Sequence, residues 1–138
     1  MEIRCPVASF GQTSLERLAT CHQDLQKIAF ELIKEMDVTI ACGHRGEEDQ
    51  NKAFANGFSK LKWPYSMHNT IPSLAVDIVP YNPQARDLDW SPEKMDEMLD
   101  RIAKIAERLD IKLRFGRDFK RLGDKDHIEL VEAHIVYG

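Results

Sequence analysis

The sequence predicts an α+β fold in which a small, largely antiparallel sheet carries helices packed on it. Three observations lead there. Helical periodicity is confined to a few segments, short β-branched runs lie between and after them, and no internal repeat or low-complexity stretch interrupts the pattern. At 138 residues the chain has the size of one domain, residues 1–138. With 43% hydrophobic and 30% charged residues it can bury a core without disulfides.

The elements follow in order. Thr13-Ser14-Leu15-Glu16 has the form of a capping box, and Leu15, Leu18, Leu25, Ile28, Leu32 and Met36 then recur at helical spacing, predicting one helix over about 14–36. The β-branched stretch 37–42 (DVTIAC) predicts a strand that Gly43 ends. A second helix is expected over about 46–56, stopped by Asn56-Gly57, and 58–72 is punctuated as a loop. Residues 74–80 (LAVDIVP) predict a strand. Ser91-Pro92 supplies an N-cap and a proline at the first helical position, starting a helix over 92–109 whose Met95, Met98, Leu99, Ile102 and Ile105 share one face. Two short strands, 112–115 and 127–131, follow around a polar loop containing glycine.

Charge and cysteine content narrow the function. Nineteen basic against 23 acidic residues, a net −4 with neutral histidines, argue against nucleic acid as partner. The short basic cluster Arg114, Arg117, Lys120 and Arg121 reads as a solvated turn. Cys5, Cys21 and Cys42 are odd in number and widely spaced, which excludes a disulfide framework or a C-x-x-C knuckle and fits synthesis in a reducing compartment. The N-terminus has no apolar signal core, no stretch approaches the ~18 apolar residues of a membrane span, and membrane insertion is not expected. No P-loop, G-x-S-x-G or H-E-x-x-H motif appears.

Chemistry concentrates where polar residues sit at costly positions. Asp77 lies in the middle of an apolar strand, and a buried carboxylate must be compensated. In the strand at 127–131, His127 and Glu129 share a face while Ile128 and Leu130 point to the core. If this strand lies beside that of Asp77, an imidazole and a carboxylate meet, with His68 arriving from the preceding loop. His, Asp and His with one position left to water is the pattern of a catalytic zinc, suited to amide hydrolysis. Asp124, three residues before His127, is a candidate general base. Arg45, between a strand end and a helix start, is placed to bind a carboxylate or a developing oxyanion. His22 and His134 read as structural or solvated.

The run SMHNTIPSLAVDIVPY (66–81), followed by DKDHIELV (124–131), resembles the two metal motifs of the VanY-type zinc D-Ala-D-Ala peptidases, and within them is most similar to the phage endolysin L-alanyl-D-glutamate peptidases. GHRGEEDQNKAFANGFSKL (43–61) and KLRFGRDF (112–119) resemble the intervening segments, so the likeness spans about residues 13–131. It implies a hedgehog/D-Ala-D-Ala-peptidase-like fold, zinc held by His68, Asp77 and His127, and Asp124 as general base and acid. Arg45 matches the arginine that holds substrate or the polarised oxygen, and Ser66 matches the substrate-side serine two residues before the first ligand. One departure stands out. The family spacing is H-x-x-G-x-A-x-D, whereas nine positions separate His68 from Asp77, and Ser73 stands where glycine is expected. The expectation is a monomeric zinc peptidase that cuts peptidoglycan stem peptides, made in the cytoplasm without a signal peptide and released through a holin. The alternatives are a D-alanyl-D-alanine carboxypeptidase and a noncatalytic zinc-containing module that binds cell wall or protein.

Overall fold

The computed structural model describes residues 8–118 and 125–131. In chain order these form α1 (Gln12–Ala19), α2 (Gln23–Ile33), β1 (Val38–Cys42), α3 (Glu47–Ala55), a 3-10 turn at Met67–Asn69, β2 (Ala75–Asn82), β3 (Asp87–Leu88) and α4 (Pro92–Leu109). β4 (Leu113–Phe115), a second 3-10 turn at Gly116–Asp118 and β5 (His127–Leu130) complete the described part. Mixed helices and a small antiparallel sheet were expected, and that is the architecture.

Among the described residues the sheet runs β1-β2-β5-β4, with β3 paired to the far end of β2, and every pairing is antiparallel. β2 is central, which explains its apolar run: Ala75, Val76, Ile78 and Val79 are fully buried. α2 and α4 cover the sheet, joining Leu25, Ile28 and Leu32 to Met98, Leu99 and Ile102 in one core cluster with Ile40, Val76 and Ile128. α4 starts as its sequence dictates. The Ser91 hydroxyl accepts from the Lys94 N–H, and Pro92 occupies the first turn. No helix among the described residues is long and apolar enough to cross a membrane.

Two expectations about the N-terminal region are corrected. The predicted helix over 14–36 is two helices, broken at Thr20–His22. There the Thr20 hydroxyl donates to the Arg17 carbonyl, and the backbone of Thr20 and His22 pairs with Ser73 at 2.9 and 2.8 Å, bridging Cys21 to Ser73. His22 then caps α2 by accepting from the Asp24 N–H. Leu18, Cys21 and Leu25 keep helical spacing across this break, so the pattern hides it. The capping box does not form either. α1 begins at Gln12 behind Gly11, and the buried Ser14 hydroxyl instead accepts from the Ile40 N–H, tying α1 to β1. The remaining predicted elements appear within about two residues of their expected ends, and the two-residue β3 was not anticipated.

The α1–α2 break positions the polar end of the sheet. Gly43, just after β1, passes so close that a Cβ there would collide with the Arg17 carbonyl and the Thr20 hydroxyl. The His44 N–H donates to that same hydroxyl at 2.8 Å. Ser73, docked on the other side of the break, leads directly into β2.

Candidate active site

His68 arrives on the 3-10 turn. The Ser66 hydroxyl accepts from the His68 N–H at 3.2 Å, while the Asn69 side chain accepts from the Ser66 N–H at 3.0 Å. The turn is anchored from below: the Arg45 N–H donates to the His68 carbonyl at 2.8 Å, and the Asn69 amide donates to the Arg45 carbonyl and the Gln50 side chain. His68 ends up only 2% exposed. The long loop between His68 and Asp77 is equally well held. The Thr70 hydroxyl bonds the Pro72 carbonyl, and the buried Ser73 hydroxyl donates to the Ala75 carbonyl at 2.6 Å.

Sheet register brings in the other two groups. Asp77 on β2 is the direct cross-strand partner of His127 on β5 and of Cys42 on β1, where a bulge between Ile40 and Cys42 re-aims the strand end. His68 Nε2, Asp77 Oδ1 and His127 Nδ1 lie 3.2, 3.2 and 3.3 Å from one another. The other nitrogen of each imidazole is occupied. His68 Nδ1 is 2.7 Å from the Gly43 carbonyl, and His127 Nε2 is 2.9 Å from Glu129 Oε1. With N–H groups facing those acceptors, the inward nitrogens present lone pairs to a carboxylate oxygen. Three mutually repelling acceptors require a cation between them, either protons or a metal. Ligand atoms at ~2.0–2.1 Å in a tetrahedron stand about 3.3–3.4 Å apart, so this set fits zinc without rearrangement.

Ionisation reflects the same demand. Burial disfavours the charged form of His68, but hydrogen bonds to Asp77 and Cys42 outweigh it and push the pKa up to about 10. Burial likewise opposes charge on His127, and its bonds to Asp77 and Glu129 prevail, giving about 9. Burial would raise Asp77, yet the two histidines hold it well below the usual carboxylate range. Cys42 is also raised by burial but brought below an ordinary thiol overall, chiefly by its hydrogen bond to His68.

Arg45 lies beside this cluster. Its Nη2 is 3.8 Å from Asp77 Oδ2 and 3.5 Å from Cys42 Sγ, and Nη1 donates to Gln50 Oε1 at 3.1 Å. Arg45, His68, Asp77 and His127 open into a cleft of about 950 Å³ that Ser66, Arg114, Asp126 and Glu129 also line.

The structure therefore brings together His68, Asp77, His127 and Arg45, and shows Ser66 at the cleft with its hydroxyl committed to the His68 turn. Asp124 lies outside the described residues, as do Lys120, Arg121, His134 and Cys5. Within the cluster Arg114 faces Glu129 at 3.8 Å and Arg117 faces Asp100 at 3.6 Å. Sequence reasoning passed over Cys42, whose sulfur lies within 4.8 Å of ligand atoms of His68 and Asp77, so that these three are also able to hold a metal. It passed over Gln50, fully buried and bonded to Arg45, Asn69, Ser59 and the Leu61 carbonyl. Glu129 had a usable signal in sharing a strand face with His127. Gln50 had none.

This fold is shared with the crystal structure of the Serratia marcescens L-Ala D-Glu endopeptidase ChiX, with a TM-score of 0.74 and 23% identity over 88% of each chain. The chain is also 35% identical over 118 residues to the L-alanyl-D-glutamate peptidase of Escherichia phage T5, spanning 83% of this chain and 84% of that relative. The model of the phage L-alanyl-D-glutamate peptidase family matches residues 7–135, and the chain belongs to that family of peptidases. The resemblance noted in the sequence is thereby borne out.

Proposed function

We propose that this protein is a zinc metallopeptidase that hydrolyses the L-alanyl-D-glutamate bond of peptidoglycan stem peptides. The observation that carries the reading is the convergence of His68 Nε2, Asp77 Oδ1 and His127 Nδ1 at 3.2–3.3 Å in an open cleft, each imidazole locked by a partner behind it. Those three residues would hold the metal. Bound there, zinc supplies Lewis-acid polarisation of a peptide carbonyl and lowers the pKa of water toward ~7.

The chain's own groups do the rest. Asp124, placed by sequence on the loop entering β5, takes the proton as water adds to the scissile carbonyl carbon. It delivers that proton to the amine nitrogen as the C–N bond breaks. Arg45 directs a guanidinium into the cleft, where it stabilises negative charge developing on the carbonyl oxygen. Gln50 and Asp77 hold that guanidinium, and Ser66 keeps the His68 turn in place. Membership of the phage family supports action on the cell wall, and a monomer freed by holin-type release is part of the proposal.

Digestion of purified peptidoglycan, with metal content measured on the same sample, tests the reading. New N-terminal D-Glu in stoichiometry with zinc is expected. Free D-Ala identifies a carboxypeptidase instead, and bound zinc without new termini identifies a noncatalytic module. Asp124→Ala is expected to retain zinc and lose turnover by at least about a hundredfold, whereas His127→Ala loses both. Full turnover in the Asp124 variant removes that residue from the mechanism.

A further inference from the structure

We propose that the exposed aromatic rim of the cleft, formed by Phe58, Tyr65 and Trp90, is a subsite for the amino sugar that carries the stem peptide. The inference rests on the peptidase reading above and extends it from the peptide to the glycan.

These rings are out of place on a folded surface. Phe58 is 79% exposed, Tyr65 76% and Trp90 57%, the three most exposed aromatic side chains among the described residues. Phe58 and Tyr65 come from the segment between α3 and the His68 turn, and Trp90 from the residue just before the α4 N-cap. Two segments far apart in sequence thus place rings on the same cleft as His68, Asp77 and His127. Exposed apolar groups gathered at a concave site mark a binding surface.

The cleft also exceeds what the reacting bond needs. Its volume of about 950 Å³ stands at the upper end for small-ligand sites, well beyond the two residues flanking one peptide bond. In a stem peptide a single L-alanine separates the scissile carbonyl from the lactyl ether of the sugar. With the lactyl group counted as a second residue length, at ~3.3–3.6 Å each, the ring lies about 7 Å from the cut. A pyranose presents C–H-rich faces and polar edges. Flat aromatic faces suit the former, and Lys60, which lines the same wall, offers a donor to the latter. The cleft is mixed in charge, with Asp118, Asp126 and Glu129 set against Arg45, Lys60 and Arg114, and offers no basic surface to a nucleic acid or an anionic lipid, so a neutral sugar is the occupant that fits.

The test uses the zinc-loaded full chain and two substrates with the same peptide, one N-acetylated on L-alanine and one carried by the N-acetylglucosaminyl–N-acetylmuramyl disaccharide. The expected result is a kcat/KM about tenfold higher with the sugar, lost mainly through KM in Tyr65→Ala and Trp90→Ala, whose deficit on the sugar-bearing substrate exceeds that on the acetylated one. Equal kcat/KM on the two substrates overturns the subsite, as does an equal deficit in the variants. Binding of the disaccharide-L-alanine fragment, followed by calorimetry, needs no turnover and separates the two ideas. If neither peptide is cut, fragment binding that weakens about tenfold in Trp90→Ala upholds the subsite while the peptidase reading falls. If the peptide is cut and the fragment does not bind, the subsite falls alone.

Discussion

Helices α3 and α4 are held in the fold by opposite means. α4 buries Met95, Met98, Leu99, Ile102, Ile105 and Ala106 on one face, and its stability comes from apolar area removed from water. α3 buries only Gln50, and that side chain spends its hydrogen bonds on Arg45, Asn69, Ser59 and the Leu61 carbonyl. One helix holds the fold together, and the other holds the wall of the cleft. Substitutions in the two should therefore separate stability from activity.

The largest stability effect belongs to α4. Leu99 is fully buried, and Leu99→Ala removes its packing and leaves a cavity, at an expected cost of about 2–5 kcal/mol. Thermal unfolding measures it. Below its lowered midpoint the variant should still bind zinc stoichiometrically, since no ligand is anchored on α4. Lost metal binding in the folded variant would erase the distinction between the helices.

Acidity sharpens the contrast at the metal cluster, which belongs to the polar side of the molecule. Without metal, the raised pKa values of His68 and His127 make protonation stabilising. That contribution is complete below the ordinary histidine value of 6.5 and is lost as pH rises through about 9 to 10. Asp77 has the opposite sign. Its lowered pKa contributes above the ordinary 3.8 and is lost as the solution becomes more acidic than its folded value. The metal-free protein should thus lose thermal stability steadily from about pH 6.5 to 10. If zinc replaces the protons, as proposed, the loaded protein should show no such decline, and binding should release protons to the buffer. Parallel profiles with and without zinc would mean that the ion sits elsewhere.

How much of this is legible in sequence follows the same division. α4 is plain because apolar spacing and its Ser91-Pro92 start are local signals. Asp77 and His127 are visible because a polar residue inside an apolar strand violates a local pattern, and the strand register then sets them opposite each other. The break between α1 and α2 is not visible, since its cause is a backbone bridge to Ser73, more than fifty residues away. Cys42 was weighed only against other cysteines, while its neighbours in space are His68 and Asp77. Gln50 is an ordinary polar helix residue until tertiary structure closes over it.

Glu129→Gln addresses the locking of His127. The carboxylate accepts from Nε2 and fixes the inward nitrogen as a lone pair, a role a neutral amide fills less well. Zinc affinity is expected to fall about 10–100-fold, with stoichiometry preserved at saturating metal. Competition with a chelator of known affinity reads this directly. An unchanged affinity would leave Glu129 as a partner of Arg114 alone.

The smallest change in stability, and the most discriminating one, is expected from Gln50→Leu. The substitution keeps the side chain's bulk but abandons four partners. Ser59 and Leu61 are near enough to the surface to recover bonds from water, whereas Arg45 and Asn69 lose a shared anchor beside the His68 turn. The stability cost should be about 1–3 kcal/mol, at or below that of Leu99→Ala. Turnover on peptidoglycan should nevertheless fall further than in the α4 variant if Arg45 has the proposed role, because a guanidinium that wanders by an ångström would no longer meet the developing charge. If Gln50→Leu lost stability and kept activity, α3 would be an ordinary structural helix and the cleft wall would owe its shape to something else.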